Sequence, residues 1–213
     1  MDLRQEGTGR PAILAAAFRM LDAALLRVGS EEYAREHGSV GLSTLRCAHA
    51  TMTGDVVSLH FPGKSGQPWE SAIEDADLAA LLGELKRTRG AAARLLAWQE
   101  DGEWYPLRAA EINEDVRERT GGEFTAKDFR TLHGTVIAAS VLARVGVSDS
   151  GSARTRAMRR AVREVAAALG NTPAVARASY IDPRLLDLYE RGIVVDVRSG
   201  RGVEGQLADL LNG

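Results

Sequence analysis

The residues of this chain that could do chemistry are few, and their spacing separates them. Gly63-Lys64-Ser65 ends like a phosphate-binding loop, in which glycine backbone cradles an anion ahead of a helix. Such a loop needs another glycine five residues before Gly63, where Ser58 stands, and a helix after the lysine, where a strand-like run follows. An ATP-binding loop is therefore rejected. The four histidines, His37, His49, His60 and His133, lack metal-ligand spacing, and Cys47 has no second cysteine. No metal site and no cofactor are expected. What remains is a series of cations followed by a tyrosine: Arg27, Lys64, Arg130 and Tyr180. Arginine's planar, permanently charged fork matches phosphate oxygens. Each residue also has an ordinary structural role available. A helix-end arginine answers the dipole, a turn lysine is solvated, and a tyrosine between short helices packs. The residue types alone leave both readings open.

The elements that must position these residues are mostly helical. Apolar spacing predicts a helix over 11–28, ended by Gly29 and carrying Arg27 at its close. Three half-apolar runs at 43–50, 56–61 and 67–73 are separated by Thr53-Gly54-Asp55 and by Pro62-Gly63-Lys64-Ser65-Gly66. This pattern predicts a small three-stranded antiparallel meander over about 43–73, with Lys64 on its second turn. Helical spacing returns over 77–88, and runs at 95–98 and 104–107 around Asp101-Gly102 suggest a hairpin. Helices follow over 109–119, 125–145 and 153–169, with short ones from Pro173 and Pro183. Thr125 with Asp128 resembles a capping box, which places Arg130 in the first turn of its helix. Ser148 to Ser152 is the most linker-like stretch, and a mobile helix connection is expected there.

Composition bounds the answer without deciding it. The 213 residues are 45% hydrophobic and 26% charged, which excludes disorder and collagen-like repeats and suits one main domain. The longest apolar runs, 12–18 and 137–143, fall far short of a membrane span. The first six residues lack a signal peptide's pattern, and the lone Cys47 suits a reducing compartment, so a cytoplasmic location is expected. A net charge of −2 ordinarily argues against a nucleic-acid binder. The average conceals a net of −6 over residues 65–123 and of +6 over 124–180, where eight of nine cations are arginine. Such an excess could gather phosphates or form a solvated helix face.

The order and context of the cations change the reading. Arg27-Val28-Gly29 with Tyr33 beyond, Val40-Gly41-Leu42-Ser43-Thr44-Leu45-Arg46 and Phe61-Pro62-Gly63-Lys64 come first. Thr125-Ala126-Lys127-Asp128-Phe129-Arg130-Thr131 follows, and then Leu169-Gly170-Asn171-Thr172-Pro173 through Arg177-Ala178-Ser179-Tyr180. As a set, spanning about residues 10–190, these segments resemble the catalytic domain of type IB DNA topoisomerases, specifically the poxvirus-like enzymes of bacteria. The resemblance implies an α+β, mostly α fold of the DNA breaking-rejoining type. It implies that Tyr180 attacks a phosphodiester of duplex DNA to give a 3′-phosphotyrosyl link and a free 5′-hydroxyl. Arg27 and Arg130 would then clamp the nonbridging oxygens, Lys64 would protonate the leaving oxygen, and Asn171 would donate a hydrogen bond. Strand rotation and religation would relax supercoils without ATP or metal, on a monomer bound to duplex DNA in the bacterial nucleoid. Tyr33, Arg46 and Lys127 match positions that contact DNA.

Two departures qualify the likeness. Asn171 stands where many members have histidine, and an amide donates a hydrogen bond without carrying charge. The family's smaller N-terminal clamp domain is also missing from this stretch, which is expected to begin near the first catalytic-domain helix. Two other functions compete. A tyrosine recombinase or integrase shares the chemistry but commonly has His-x-x-Arg where Lys127 precedes Arg130. A non-catalytic DNA-binding remnant would have lost cleavage altogether.

Overall fold

The structure, a computed structural model, describes residues 7–212. Residues 1–6, on which the reading of the N-terminal sequence rests, lie outside that range, as does 213. The chain divides into two compact units, Met1–Phe129 and Arg130–Gly213.

In the first unit an alanine-rich segment forms α1 (Arg10–Ala24), with Pro11 where a missing N–H does no harm. Ala12, Ile13, Ala16, Met20 and Leu21 repeat at helical spacing and are buried. The helix ends at Ala24, four residues before the expected Val28, and its C-cap Leu25 adopts left-handed backbone with φ 55°. That conformation costs a leucine about 1–2 kcal/mol. Leu26 is 1% exposed beyond it, and the Arg27 and Val28 carbonyls accept the N–H groups of Leu42 and Ser43, both at 2.8 Å. Tertiary pairing has replaced the last helical turn, so Arg27 stands on a loop and not at a helix end.

Ser30 caps the short α2 (Glu31–His37), its hydroxyl accepting from the Tyr33 N–H. The meander forms with the expected turns and strand order: β1 (Ala50–Thr53), β2 (Val56–Pro62) and β3 (Pro68–Glu74), antiparallel throughout. Val57, Leu59 and Phe61 alternate inward along β2. The first strand begins at Ala50 and not at 43. Residues 42–44 and 47–49 instead form single 3-10 turns, the Thr44 hydroxyl accepting from the Gly41 N–H and the His49 imidazole from that of Arg46. These local caps offer the backbone an alternative to a strand ladder. Asp75 caps α3 (Ala76–Arg89), and the hairpin forms as β4 (Ala97–Glu100) and β5 (Glu103–Pro106) around Asp101-Gly102, both at positive φ. Then comes α4 (Ala109–Thr120). The core of this unit lies where α1 packs on α4, β3 and β4, and where α3 covers β1 and β2.

The unit boundary falls inside α5 (Ala126–Val145). In its first turn the Asp128 carboxylate accepts from the Thr125 N–H at 2.8 Å and hydroxyl at 2.9 Å, while Asn113 accepts from the Ala126 N–H. The second unit continues with α6 (Gly151–Leu169), whose cap is Ser150. Two residues of the expected mobile linker, Gly151 and Ser152, are thus already helical. Thr172 caps α7 (Pro173–Ser179) and Asp182 caps α8 (Pro183–Glu190). Last comes α9 (Val203–Asn212), which the sequence reading did not include. Ala161, Val165 and Leu169 of α6 are buried, and α6 packs on α7 and α8.

Candidate active site

Two glycines carry Arg27. Gly29, at φ 76°, lies against Gly41, and a Cβ added to Gly41 would sit 2.6 Å from Gly29 N and 2.8 Å from the Arg27 carbonyl oxygen. No side chain fits there, and the close approach lets Leu42 N–H reach the Arg27 carbonyl. The same segment holds the turn that bears Lys64, because the Val40 N–H donates to the Pro62 carbonyl at 2.8 Å. Beyond Pro62 the turn closes on itself, with Gly63 N–H donating to Gln67 O at 2.7 Å and Ser65 at φ 58°. Lys64 is exposed at its tip. Residues 40–44 therefore brace both Arg27 and the Lys64 turn. Gly41 is extended, so Gly41→Ala strains no dihedral and acts by sterics alone. We expect it to destabilise the protein by about 1–3 kcal/mol, read by urea unfolding, and to move the Arg27 loop.

Of the remaining first-unit positions, Tyr33 is 45% exposed on α2 with its ring 4.5 Å from His37, so it does not pack into the core. Arg46 is exposed, its guanidinium donating to Ala92 O at 3.4 Å. Lys127 is exposed on the first turn of α5, where Phe129 packs edge-on against Phe18 with ring centroids 5.1 Å apart.

The second unit brings Arg130, the Leu169–Asn171 turn and Tyr180 together. Arg130 is 2% exposed. Its Nη2 donates to Leu169 O at 2.7 Å, and its guanidinium carbon lies 5.0 Å from the centre of the Tyr180 ring, within cation–π range. Leu169 closes α6 two residues before Asn171, whose N–H donates to Ala166 O at 2.9 Å, with Gly170 left-handed between them. A buried guanidinium is costly unless hydrogen-bonded, and here the carbonyl end of a helix receives it.

Tyr180 follows α7 as its C-cap, its N–H donating to Ala176 O at 3.0 Å. Its backbone rests on α5 at Gly134, where an added Cβ would fall 2.2 Å from the Tyr180 carbonyl oxygen. Two threonines on the same helix complete the seat. The Thr131 hydroxyl donates to Ser179 O at 3.4 Å. The Thr135 hydroxyl donates to Thr131 O at 2.8 Å and accepts from the Asp182 N–H at 3.0 Å. Gly134 and Thr135 escaped the sequence reading, and Thr131 entered it only as the end of a motif, with no role. A glycine inside a strongly helical run was the only available signal, since such a residue usually marks a close approach.

The four tyrosines differ in setting. Tyr33 and Tyr105 are each 45% exposed. Tyr189 is buried and donates to Gly146 O at 2.8 Å. Burial pushes its phenol above the usual range, and Arg154 opposes the shift. Only Tyr180 has a half-buried ring beneath a buried guanidinium.

A mostly helical fold with a small meander, in which an arginine and a tyrosine meet across α5 and α7, defines a class that comparison with known proteins identifies. Residues 1–190 match the model of the eukaryotic DNA topoisomerase I catalytic core, and the chain belongs to that family. The DNA topoisomerase 1B of Acanthamoeba polyphaga mimivirus is 31% identical over 173 residues. That stretch is 78% of this chain and 51% of the viral protein, so the chain spans about half the length of the relative it matches.

Proposed function

We propose that this chain carries the strand-cleaving centre of an ATP-independent type IB topoisomerase acting on duplex DNA. One observation carries the proposal: the buried Arg130 guanidinium lies over the Tyr180 ring while hydrogen-bonded to Leu169 O. A fixed cation beside a phenol suits a reaction in which negative charge grows on phosphate oxygens next to the attacking group.

The Tyr180 oxygen attacks phosphorus and gives its proton to solvent as the P–O5′ bond breaks; the departing 5′-oxygen takes a proton from Lys64, and a 3′-phosphotyrosyl ester and a 5′-hydroxyl result. Arg130 binds the phosphate oxygens through its guanidinium, and Asn171 donates its amide. Arg27 and Lys64 take the roles their motifs have in the family, a second guanidinium clamp and the proton donor to the 5′-oxygen. One phosphoester replaces another, so the bond energy is conserved for religation and no nucleotide is consumed. Guanidinium charge meets the demand for neutralisation, so the chemistry is expected to run in EDTA. The protein acts as a monomer in the cytoplasm on this reading.

The test is covalent trapping on a duplex whose short 5′-fragment dissociates after cleavage, in EDTA without ATP, with the adduct mapped by mass spectrometry. An adduct on Tyr180 is expected, and plasmid relaxation of both supercoil signs then distinguishes strand rotation from recombination. No adduct despite salt-sensitive duplex binding would overturn the cleavage reading in favour of a binding module.

A further inference from the structure

The chain that leaves Tyr180 is gripped by a device that the cleavage chemistry does not use. Ile181 is buried, and Asp182 follows with its N–H held by the Thr135 hydroxyl of α5 at 3.0 Å. The Asp182 carboxylate caps α8, accepting the Arg184 N–H at 2.9 Å. It also receives the Arg184 guanidinium, with Nε 3.1 Å from Oδ1 and 3.2 Å from Oδ2, and Nη2 2.6 Å from Oδ2. The other terminal nitrogen, Nη1, donates to Leu211 O in the last turn of α9 at 2.8 Å. We infer that Arg184 is a positioning residue for Tyr180, a latch that ties the segment leaving the tyrosine to α9. The role rests on the function proposed above for Tyr180, whereas the tether itself does not.

A cap needs no guanidinium, because backbone N–H groups of the first turn satisfy the carboxylate. Arg184 does more, since it reaches a different helix. Carbonyls in a helix's last turn lack partners within the helix and sit at its negative end, so Leu211 O suits a cationic donor. A planar fork can address the carboxylate and this carbonyl at once in fixed geometry, which a lysine ammonium cannot. The hydrogen bonds from the Arg184 side chain hold the Asp182 carboxyl below the usual carboxylate range, against the opposing effect of burial. Asp182 is therefore ionised near neutrality, and the fork is charge-assisted.

An anchor must itself be fixed, and α9 is. Near its start Gln206 Nε2 lies 3.0 Å from Asp196 O, 3.1 Å from Ser199 Oγ and 3.0 Å from Arg201 O, while Oε1 accepts the Asp196 N–H at 2.8 Å. Arg201 pairs with Asp209 at 2.7 Å, and Leu207 is buried. Asp182 is thus held twice, by α5 through its N–H and by α9 through its carboxylate and Arg184. Only Ile181 separates it from Tyr180. Slack there passes into the tyrosine backbone, and a misplacement of about 1 Å at a reacting group can cost about 100-fold in rate.

The test compares the full chain with its Arg184→Ala, Arg184→Lys and Gln206→Ala variants. Amide hydrogen exchange at Asp182 should rise about tenfold in both Arg184 variants, with protection in the middle of α5 unchanged. Single-turnover capture of a cleavable duplex on Tyr180 should slow about tenfold in both, with duplex affinity within about twofold of the parent chain. Gln206→Ala should slow capture about threefold, and combined with Arg184→Ala should slow it no further than Arg184→Ala alone. Full activity in Arg184→Lys, or unchanged exchange at Asp182, would reduce the pair to an ordinary cap and overturn the latch. A lower melting temperature with an unchanged capture rate per folded molecule does the same. Loss of duplex affinity in step with the rate would make Arg184 a DNA contact instead. Full additivity of the two substitutions removes α9 from the device. If the parent chain forms no Tyr180 adduct, the cleavage reading fails, and faster Asp182 exchange in the variants still upholds the tether.

Discussion

Tyr180→Phe should eliminate covalent capture of DNA, lowering cleavage by about 10⁴-fold or more, with melting temperature and duplex affinity unchanged. The substitution deletes one oxygen and keeps the ring. The contact with the Arg130 guanidinium at 5.0 Å is made by the ring face, so it survives. The backbone seat on Gly134 and the hydrogen bond to Ala176 O do not involve the side chain. Loss of a hydroxyl from a half-buried ring should change stability by no more than about 0.5 kcal/mol. Single-turnover cleavage, thermal melting and duplex anisotropy on one preparation separate these effects. Residual adduct in the variant would mean that another residue is the nucleophile.

The second large effect comes from a single methyl group. Glycine inside a helix normally gains about 1 kcal/mol on conversion to alanine. Gly134→Ala should do the reverse, because the new Cβ would meet the Tyr180 carbonyl oxygen at 2.2 Å, its carbonyl carbon at 3.2 Å and Val165 Cγ1 at 3.3 Å. Two of those atoms are backbone and cannot rotate aside. The end of α7 must shift, at an overpacking cost of about 1–3 kcal/mol. Tyr180 moves with it, and a displacement of this kind should cut single-turnover cleavage by about 100-fold even in the fraction that is folded. A variant that is both more stable and fully active would show that the close approach is not needed.

Sequence periodicity revealed most of the elements because their causes are local. The meander turns sit where glycine clusters do, and the caps Thr125, Ser150, Thr172 and Asp182 precede helices as their side chains dictate. The end of α1 was not visible, since Leu25 gives up helical backbone for partners found only at residues 42 and 43. The 3-10 turns at 42–49 read as strand because their apolar residues alternate with polar ones, and the deciding caps at Thr44 and His49 are side-chain hydrogen bonds. α9 was missed: only Leu207 among its ten residues is fully buried, so its apolar stripe is narrow. At the site, the motif order singled out Arg130, Asn171 and Tyr180, which the second unit brings close together. The residues that seat the tyrosine have no chemical signature, and a glycine or threonine gains meaning only when residues 46 or more positions apart meet.

That seat bears on the rejoining half of the proposed reaction as much as on cleavage. Once the 3′-phosphate is esterified to Tyr180, the broken strand hangs from a residue whose carbonyl rests on α5 and whose N–H is bonded within α7. The tether has only the two rotatable side-chain bonds of tyrosine and the ester linkage. One DNA end is thereby confined to a few ångströms while the other is free to swivel. The rate of resealing would then depend on how often the rotating 5′-hydroxyl returns, at an effective concentration fixed by the short tether.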